Sequence, residues 1–235
     1  MSDEYTPRPE LYDLEYGFKD YPAECARIVE LVRARNPDAR TLLDVACGTG
    51  RHLELLRAHF DEAEGVDLDD RMLAVARERL PDVPLHHGDM RTFDLGRRFD
   101  VVTCLFSSIG FVRDLDGLTA AAERLAAHVA PGGILLVEPW LTPERWIPNR
   151  PHLLTAERDD IVFARVTLSG VDGRTSSTDM HYVVGTPEGV ETFAKYSEQG
   201  LFTEDEMRAA LEGAGLAVEH DPEGLIGRGL WIGRR

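Results

Sequence analysis

The sequence predicts an α/β fold, a doubly wound and mostly parallel sheet with an antiparallel β-meander inserted as a separate face. Three observations predict it. Apolar β-type runs alternate with amphipathic helical segments from residue 21 to about residue 139, the pattern of strand–helix–strand units joined by right-handed crossovers. The first of these runs, 42–45, opens directly into the glycine-rich turn Cys47-Gly48-Thr49-Gly50. From residue 142 the helical period disappears, and β-rich stretches separated by turn residues take its place.

The elements follow in order. Pro7 and Pro9 are expected to block an early regular helix, in a segment that carries Tyr5, Tyr12 and Tyr16. Cys25, Ile28, Val29 and Val32 recur with helical spacing across 21–35, and Asn36-Pro37 ends that helix. Helices at 50–59 and 69–80 each lead to a strand, at 63–67 and 84–88, with Asp69 as N-cap of the second helix. An apolar run at 101–106 precedes a helix at 115–129. Pro131-Gly132-Gly133 stops that helix, and a buried strand follows at 134–139. Stretches 161–168, 178–184 and 190–197 read as the meander, with turns at Asp172-Gly173 and Pro187-Glu188-Gly189. Thr203 and Glu206 form a capping box for a helix to about Glu212, and strands at 216–220 and 229–233 close the sheet.

These patterns divide the chain into a lid segment and helix (1–40), a ligand-binding core (41–141), an acceptor-facing insertion (142–200) and a closing helix with two strands (201–235). At 235 residues with 43% hydrophobic content the chain can bury a sizeable core. The net charge of −16 argues against nucleic acid or an anionic membrane surface as partner. An anionic small substrate would need local basic residues. Lys19 and Lys195 are the only lysines, a bias that reads as base composition rather than function. Cys25, Cys47 and Cys104 lack metal-ligand spacing and are expected as buried free thiols, with no metal site. No leader pattern and no apolar run near about 18 residues is present, so the expectation is a cytoplasmic protein.

The turn at 46–50 organises the rest. Leu42, Leu43 and Val45 suit a strand covered on both faces. Gly48 and Gly50 let the backbone turn sharply and approach a ligand, and the helix that follows offers unpaired N–H groups. The spacing Gly48-Thr49-Gly50-Arg51-His52-Leu53 lacks the third glycine of a dinucleotide fingerprint. Instead, acids stand at three successive strand ends. Asp44 can orient an ammonium group directly or through water, Asp67 can accept two ribose hydroxyls, and Asp89 can meet an exocyclic amine. An ammonium, a ribose and an adenine together describe S-adenosylmethionine, and the turn with its spaced acids resembles the class I S-adenosylmethionine-dependent methyltransferases. Asp44, Asp67, Asp89, Phe106 and Glu138 would all lie on the carboxyl edge of such a sheet, where ligands bind.

More specific motifs lie along nearly the whole chain: ELYDL (10–14), KDY (19–21), CGTG, HHGDMR (86–91), LFSSIGF (105–111), PGG…VEPW (131–140) and GRGLWIG (227–233). In this order and spacing they resemble the dTDP-aminosugar N,N-dimethyltransferases of antibiotic deoxysugar pathways. The resemblance implies that Tyr12 and Tyr21 close the lid, that Ala46 and Gly48 hold the methionyl part, and that Asp67, Leu68, Asp89, Met90 and Phe106 complete the cofactor site. It implies that Ser107, Ser108, Glu138, Trp140, Tyr182 and Arg228 face a dTDP-linked amino-deoxysugar. An arginine fork suits a pyrophosphate, and the glycines flanking Arg228 favour binding over a solvated charge. It also makes a homodimer plausible. The Asn/Asp-Pro-Pro-aromatic motif of enzymes that methylate nucleobase or glutamine amines is absent after the fourth strand. Phe111 stands where some family members place a histidine, so a base at that position is missing. A neutral sugar amine is already a nucleophile, and the expectation is catalysis by orientation without an obligatory general base, with His181 and Glu138 as fallback candidates. Two other readings stay open at this point: methyl transfer to another small amine or hydroxyl acceptor, and a non-catalytic cofactor-binding protein. The position of the amine and the number of methyl groups are not legible here.

Overall fold

The computed structural model describes residues 9–235. Pro9 does not block a helix but starts one, α1 (Pro9–Glu15), because the first helical position needs no N–H and favours the φ that proline imposes. Tyr5 and Pro7 lie outside the described residues. Helix α2 (Tyr21–Arg35) follows, capped by the Asp20 carboxylate accepting from the Ala23 amide, with Pro22 in its first turn.

Strand β1 (Thr41–Val45) then opens a seven-stranded sheet. Its other members are β2 (Glu62–Asp67), β3 (Leu85–His87), β4 (Phe99–Cys104), β5 (Val129–Val137), β10 (Ala217–Asp221) and β11 (Leu230–Arg234). The order is β10-β11-β5-β4-β1-β2-β3. The pairs β3–β2, β2–β1, β1–β4 and β4–β5 are parallel, while β11 runs antiparallel to both β5 and β10. The sequence places Pro131-Gly132-Gly133 as a helix stop. They fall instead inside β5, where the register with β4 shifts between Phe99 and Val101.

The apolar run of β1 is explained by two cores. Leu43 and Val45 point to one face with α5 (Leu115–Ala127) and α6 (Glu204–Gly213). Leu42 points to the other with α2, α3 (Arg51–Leu56) and α4 (Asp70–Arg79). Caps read from sequence are present: Asp69 accepts from the Arg71 amide at 2.9 Å, and Thr203 with Glu206 forms the capping box of α6. Cys25, Cys47 and Cys104 are buried and free.

The insertion is a four-stranded antiparallel sheet of β6 (Pro151–Arg158), β7 (Ile161–Asp172), β8 (Thr175–Thr186) and β9 (Gly189–Gly200), in that order. It has one strand more than the sequence suggested. β6 opens on proline and is largely exposed, so it carries neither apolar alternation nor the length of its neighbours. On the inner face, Phe163, Met180, Tyr182 and Val184 pack against Leu11 and Leu14 of α1. The strap α1 thus sits between the meander and the parallel sheet. Among the described residues no helix is long and apolar enough to cross a membrane.

Candidate active site

Between the carboxyl edge of the parallel sheet and the inner face of the meander lies a cavity of about 1070 Å³. In an open α/β sheet, the crevice beyond the strand ends at the reversal of strand order is where ligands bind. Here β1 has β4 on one side and β2 on the other.

The turn after β1 is built from left-handed residues. Ala46, Gly48 and Gly50 have φ of 58°, 57° and 79°, and Gly50 is the N-cap of α3. At Gly50 a Cβ would come 2.9 Å from Leu80 Cδ1, so strain and lack of space both favour glycine there. Asp67, at the end of β2, fixes the turn by accepting from the Gly48 amide at 2.7 Å, and it also accepts from the Asp69 amide at 2.8 Å. Burial raises its pKa. Each carboxylate oxygen retains a lone pair for a ligand hydroxyl. Asp89 accepts from the Arg91 amide at 2.8 Å and from its guanidinium, and that pairing lowers its pKa.

The loop after β4 is held in an unusual conformation. Phe106 and Ser107 have φ of 53° and 63°, values uncommon outside glycine. The buried Glu138 carboxylate, at the end of β5, accepts from the Phe106 amide at 2.6 Å. Ser107 donates to the Pro139 carbonyl and accepts from Arg228, both at 2.8 Å. The Phe106 ring is surrounded by Tyr16, edge-on at 4.9 Å, by Lys19 Nζ at 3.9 Å and by the Arg228 guanidinium at 5.7 Å. Arg228 also lies 5.1 Å from the Trp140 ring. Burial lowers its pKa, and Glu138 is the largest opposing influence.

Of the residues singled out in the sequence, Tyr12, Ala46, Gly48, Asp67, Leu68, Asp89, Met90, Phe106, Ser108, Trp140 and Arg228 line the cavity. The others stand behind its walls. Tyr21 is buried with its ring 4.8 Å from His52. Asp44 is buried, accepts from Thr103 Oγ1 at 2.7 Å, and has its pKa pushed up to about 6 by burial. Ser107 and Glu138 are buried beneath the Phe106 loop. Tyr182 lies under α1, donating to Glu15. His181 points the other way: strand alternation that sends Met180 inward turns it out, and Nε2 sits 3.1 Å from Asp179 Oδ1.

The cavity also holds residues that sequence reasoning missed. Lys19 and Lys195, the only lysines, both line it. Lys19 Nζ lies 2.9 Å from Glu24 Oε1, and Glu24 Oε2 lies 2.8 Å from His52 Nε2. Arg165, Thr167, Thr178, Met180, Ser197 and Gln199 come from the inner face of the meander. The scarcity of lysine was the available signal for two of them.

These walls fit a polar ligand. Among the described residues, the buried side-chain atoms Glu138 Oε1, Arg165 Nε and Thr167 Oγ1 lack a hydrogen-bond partner, while Lys19 Nζ and Glu24 Oε1 pair with each other. Arg165 and Thr167, and the paired Lys19 and Glu24, line the cavity. Each unpartnered atom costs about 1–3 kcal/mol, which a polar ligand offsets.

The sheet order, the glycine turn and the acid ending β2 define a class I S-adenosylmethionine-dependent methyltransferase. A family model described as "Methyltransferase domain" matches residues 42–133. A dTDP-4-amino-2,3,4,6-tetradeoxy-D-glucose N,N-dimethyltransferase of Saccharopolyspora spinosa is 42% identical, covering 100% of this chain and 95% of its own. A dTDP-3-amino-3,6-dideoxy-alpha-D-glucopyranose N,N-dimethyltransferase of Streptomyces fradiae is 46% identical over 95% of this chain and 89% of its own. Among solved structures, Streptomyces venezuelae DesVI has a TM-score of 0.93 at 42% identity, covering 97% of this chain and 98% of its own. The S-adenosylmethionine-bound CalS10, an amino pentose methyltransferase from Micromonospora echinaspora, has a TM-score of 0.89 at 40% identity, covering 98% of both chains. The chain belongs to the dTDP-aminosugar N,N-dimethyltransferase family.

Proposed function

We propose that this enzyme methylates the amino group of a dTDP-linked amino-deoxysugar, by orientation and without an obligatory general base. One observation carries the reading: a single cavity joins the Asp67 edge of the parallel sheet to a wall bearing Arg228, Trp140 and the polar inner face of the meander. In this reading Asp67 takes the ribose hydroxyls of the cofactor, Leu68, Asp89 and Met90 its adenine, and Ala46 and Gly48 its methionyl part. Asp44 and Tyr21 act from behind the turn. Bound there, S-adenosylmethionine supplies an electrophilic sulfonium methyl.

The chain's own residues supply placement. Phe106 and Ser108 face the point where the amine meets the methyl, and Glu138 and Ser107 fix the loop that carries them. Arg228, partly desolvated and backed by Trp140, holds the diphosphate as a planar fork. Tyr182 acts through α1 rather than by contact. Holding nitrogen in line with the methyl contributes on the order of 7–11 kcal/mol, and the proton released from nitrogen leaves to solvent. His181, turned outward, takes no part.

The sugars in the names of the two relatives above carry their amines at different carbons, and the 3-amino and 4-amino acceptors are both within this reading. A homodimer belongs to it too. The outer face of the meander leaves Val162, Val166, Leu168 and Val183 about half exposed, and exposed apolar side chains clustered on one sheet face mark an interaction surface. The setting is the cytoplasm, which keeps the three buried thiols reduced.

Isothermal titration of the S-adenosylhomocysteine-loaded enzyme with thymidine diphosphate tests the acceptor site. Binding that weakens at least tenfold in Arg228→Ala supports the reading. Binding unchanged in that variant removes Arg228 from the diphosphate site.

A further inference from the structure

Helix α1 is joined to both ligand walls at once. On the cofactor side, Asp13 accepts from Thr49 Oγ1 at 2.7 Å and pairs with Arg79, whose guanidinium also donates to the Thr49 carbonyl at 2.5 Å. Thr49 lies between Gly48 and Gly50, so this triangle clamps the cofactor turn from above. On the acceptor side, Glu15 pairs with Arg165 of β7 and accepts from Tyr182 Oη of β8 at 3.2 Å. Leu11 and Leu14 pack on the same strands. Between the two sets of contacts, Tyr12 and Tyr16 line the cavity. Seven residues are too few to hold a helix in water unaided, so α1 keeps its shape through these two dockings.

We infer that Asp13 and Glu15 are positioning residues that make the cofactor turn and the acceptor floor one cooperative unit, so that filling the first tightens the second. A ligand resting on the clamped turn and on Tyr12 favours docked α1. Docked α1 holds Glu15 against Arg165 and so sets the orientation of a guanidinium whose Nε has no partner at the cavity wall. Linkage makes the effect reciprocal, with a coupling factor between about 5 and 150. The inference rests on the proposed acceptor site only for the identity of the second ligand.

Hydrogen exchange of α1 and β7, with and without S-adenosylhomocysteine, tests the coupling independently of that identity. In the wild type the ligand slows exchange in both segments. In Asp13→Asn, and in Thr49→Val should the first variant fold poorly, the ligand still binds but β7 no longer responds. Glu15→Gln likewise loses the β7 response while α1 stays protected. As a second readout, thymidine diphosphate binds at least fivefold tighter to the wild type when S-adenosylhomocysteine is present, and equally with and without it in the variants. A β7 segment that ignores S-adenosylhomocysteine in the wild type, or responds equally in wild type and variants, overturns the coupling. A β7 response without any binding of thymidine diphosphate sustains the coupling and sinks the acceptor assignment instead.

Discussion

Glu138 and Phe106 are joined by a 2.6 Å hydrogen bond from a backbone amide to a buried carboxylate. The bond spans the ends of two adjacent strands and holds Phe106 at a φ of 53°. It separates two roles for Glu138. As an anchor, the carboxylate can be replaced by a group that still accepts from the amide; as a base, it cannot. Glu138→Gln is expected to stay within about tenfold of wild-type kcat, because the amide oxygen can accept the same bond. Glu138→Ala leaves the Phe106 amide unpaired at a cost of about 1–3 kcal/mol and loosens the loop, so kcat/KM falls roughly a hundredfold. Steady-state kinetics of the pair checks this, and a Gln variant as slow as the Ala variant contradicts the anchoring role.

Asp44 gives a pH prediction. Its folded pKa is about 6 against an ordinary 3.8, with burial as the main cause. The folded state therefore holds a proton that the unfolded state releases between those values. Stability carried by the protonated form is complete below about 4 and is lost as pH rises through 6. At about 1.4 kcal/mol per pKa unit, the loss is on the order of 3 kcal/mol. Asp44→Asn keeps the bond from Thr103 and removes the charge. It should raise Tm at pH 8 and bring no gain near pH 4, while weakening S-adenosylmethionine binding if the carboxylate orients the cofactor. Thermal melts across pH 4–8 read the first effect, and titration calorimetry reads the second.

How much of this was legible in the sequence differs by kind of feature. Strand–helix alternation is local, and so β1, β2, β4 and their helices were readable, as were the Gly48 turn and Asp67 after it. Direction across a strand was not. Period two says that His181 and Tyr182 face opposite ways, but only packing against Leu14 shows which is inward. The pairing of Glu15 with Arg165 spans 150 residues, and no local pattern announces it. Lys19 and Lys195 stand out in the sequence as its only lysines, but scarcity alone assigns them no role. Their meaning required the cavity that both of them line.

His181 faces away from the cavity, paired with Asp179. Its replacement by alanine should leave turnover within about twofold of wild type. A loss beyond about a hundredfold with cofactor binding intact, the scale of general-base effects, would show that orientation alone is insufficient.

The outer face of the meander predicts an assembly. Val166 and Val183 are each about half exposed there. Val166→Asp combined with Val183→Asp should convert a dimer to a monomer in light scattering, because burying two new carboxylates in an apolar contact is costly. A wild type that is monomeric at micromolar concentration contradicts the dimer.

The central claim is methyl transfer to the amine of a dTDP-linked aminosugar. It is tested most directly by mass spectrometry of the enzyme with S-adenosylmethionine and, in parallel, a dTDP-3-amino and a dTDP-4-amino deoxyhexose, sampled over time. The account expects a monomethyl species that rises and gives way to a dimethyl one with at least one of the two acceptors. No mass change with either, in enzyme shown separately to bind S-adenosylmethionine, would contradict it.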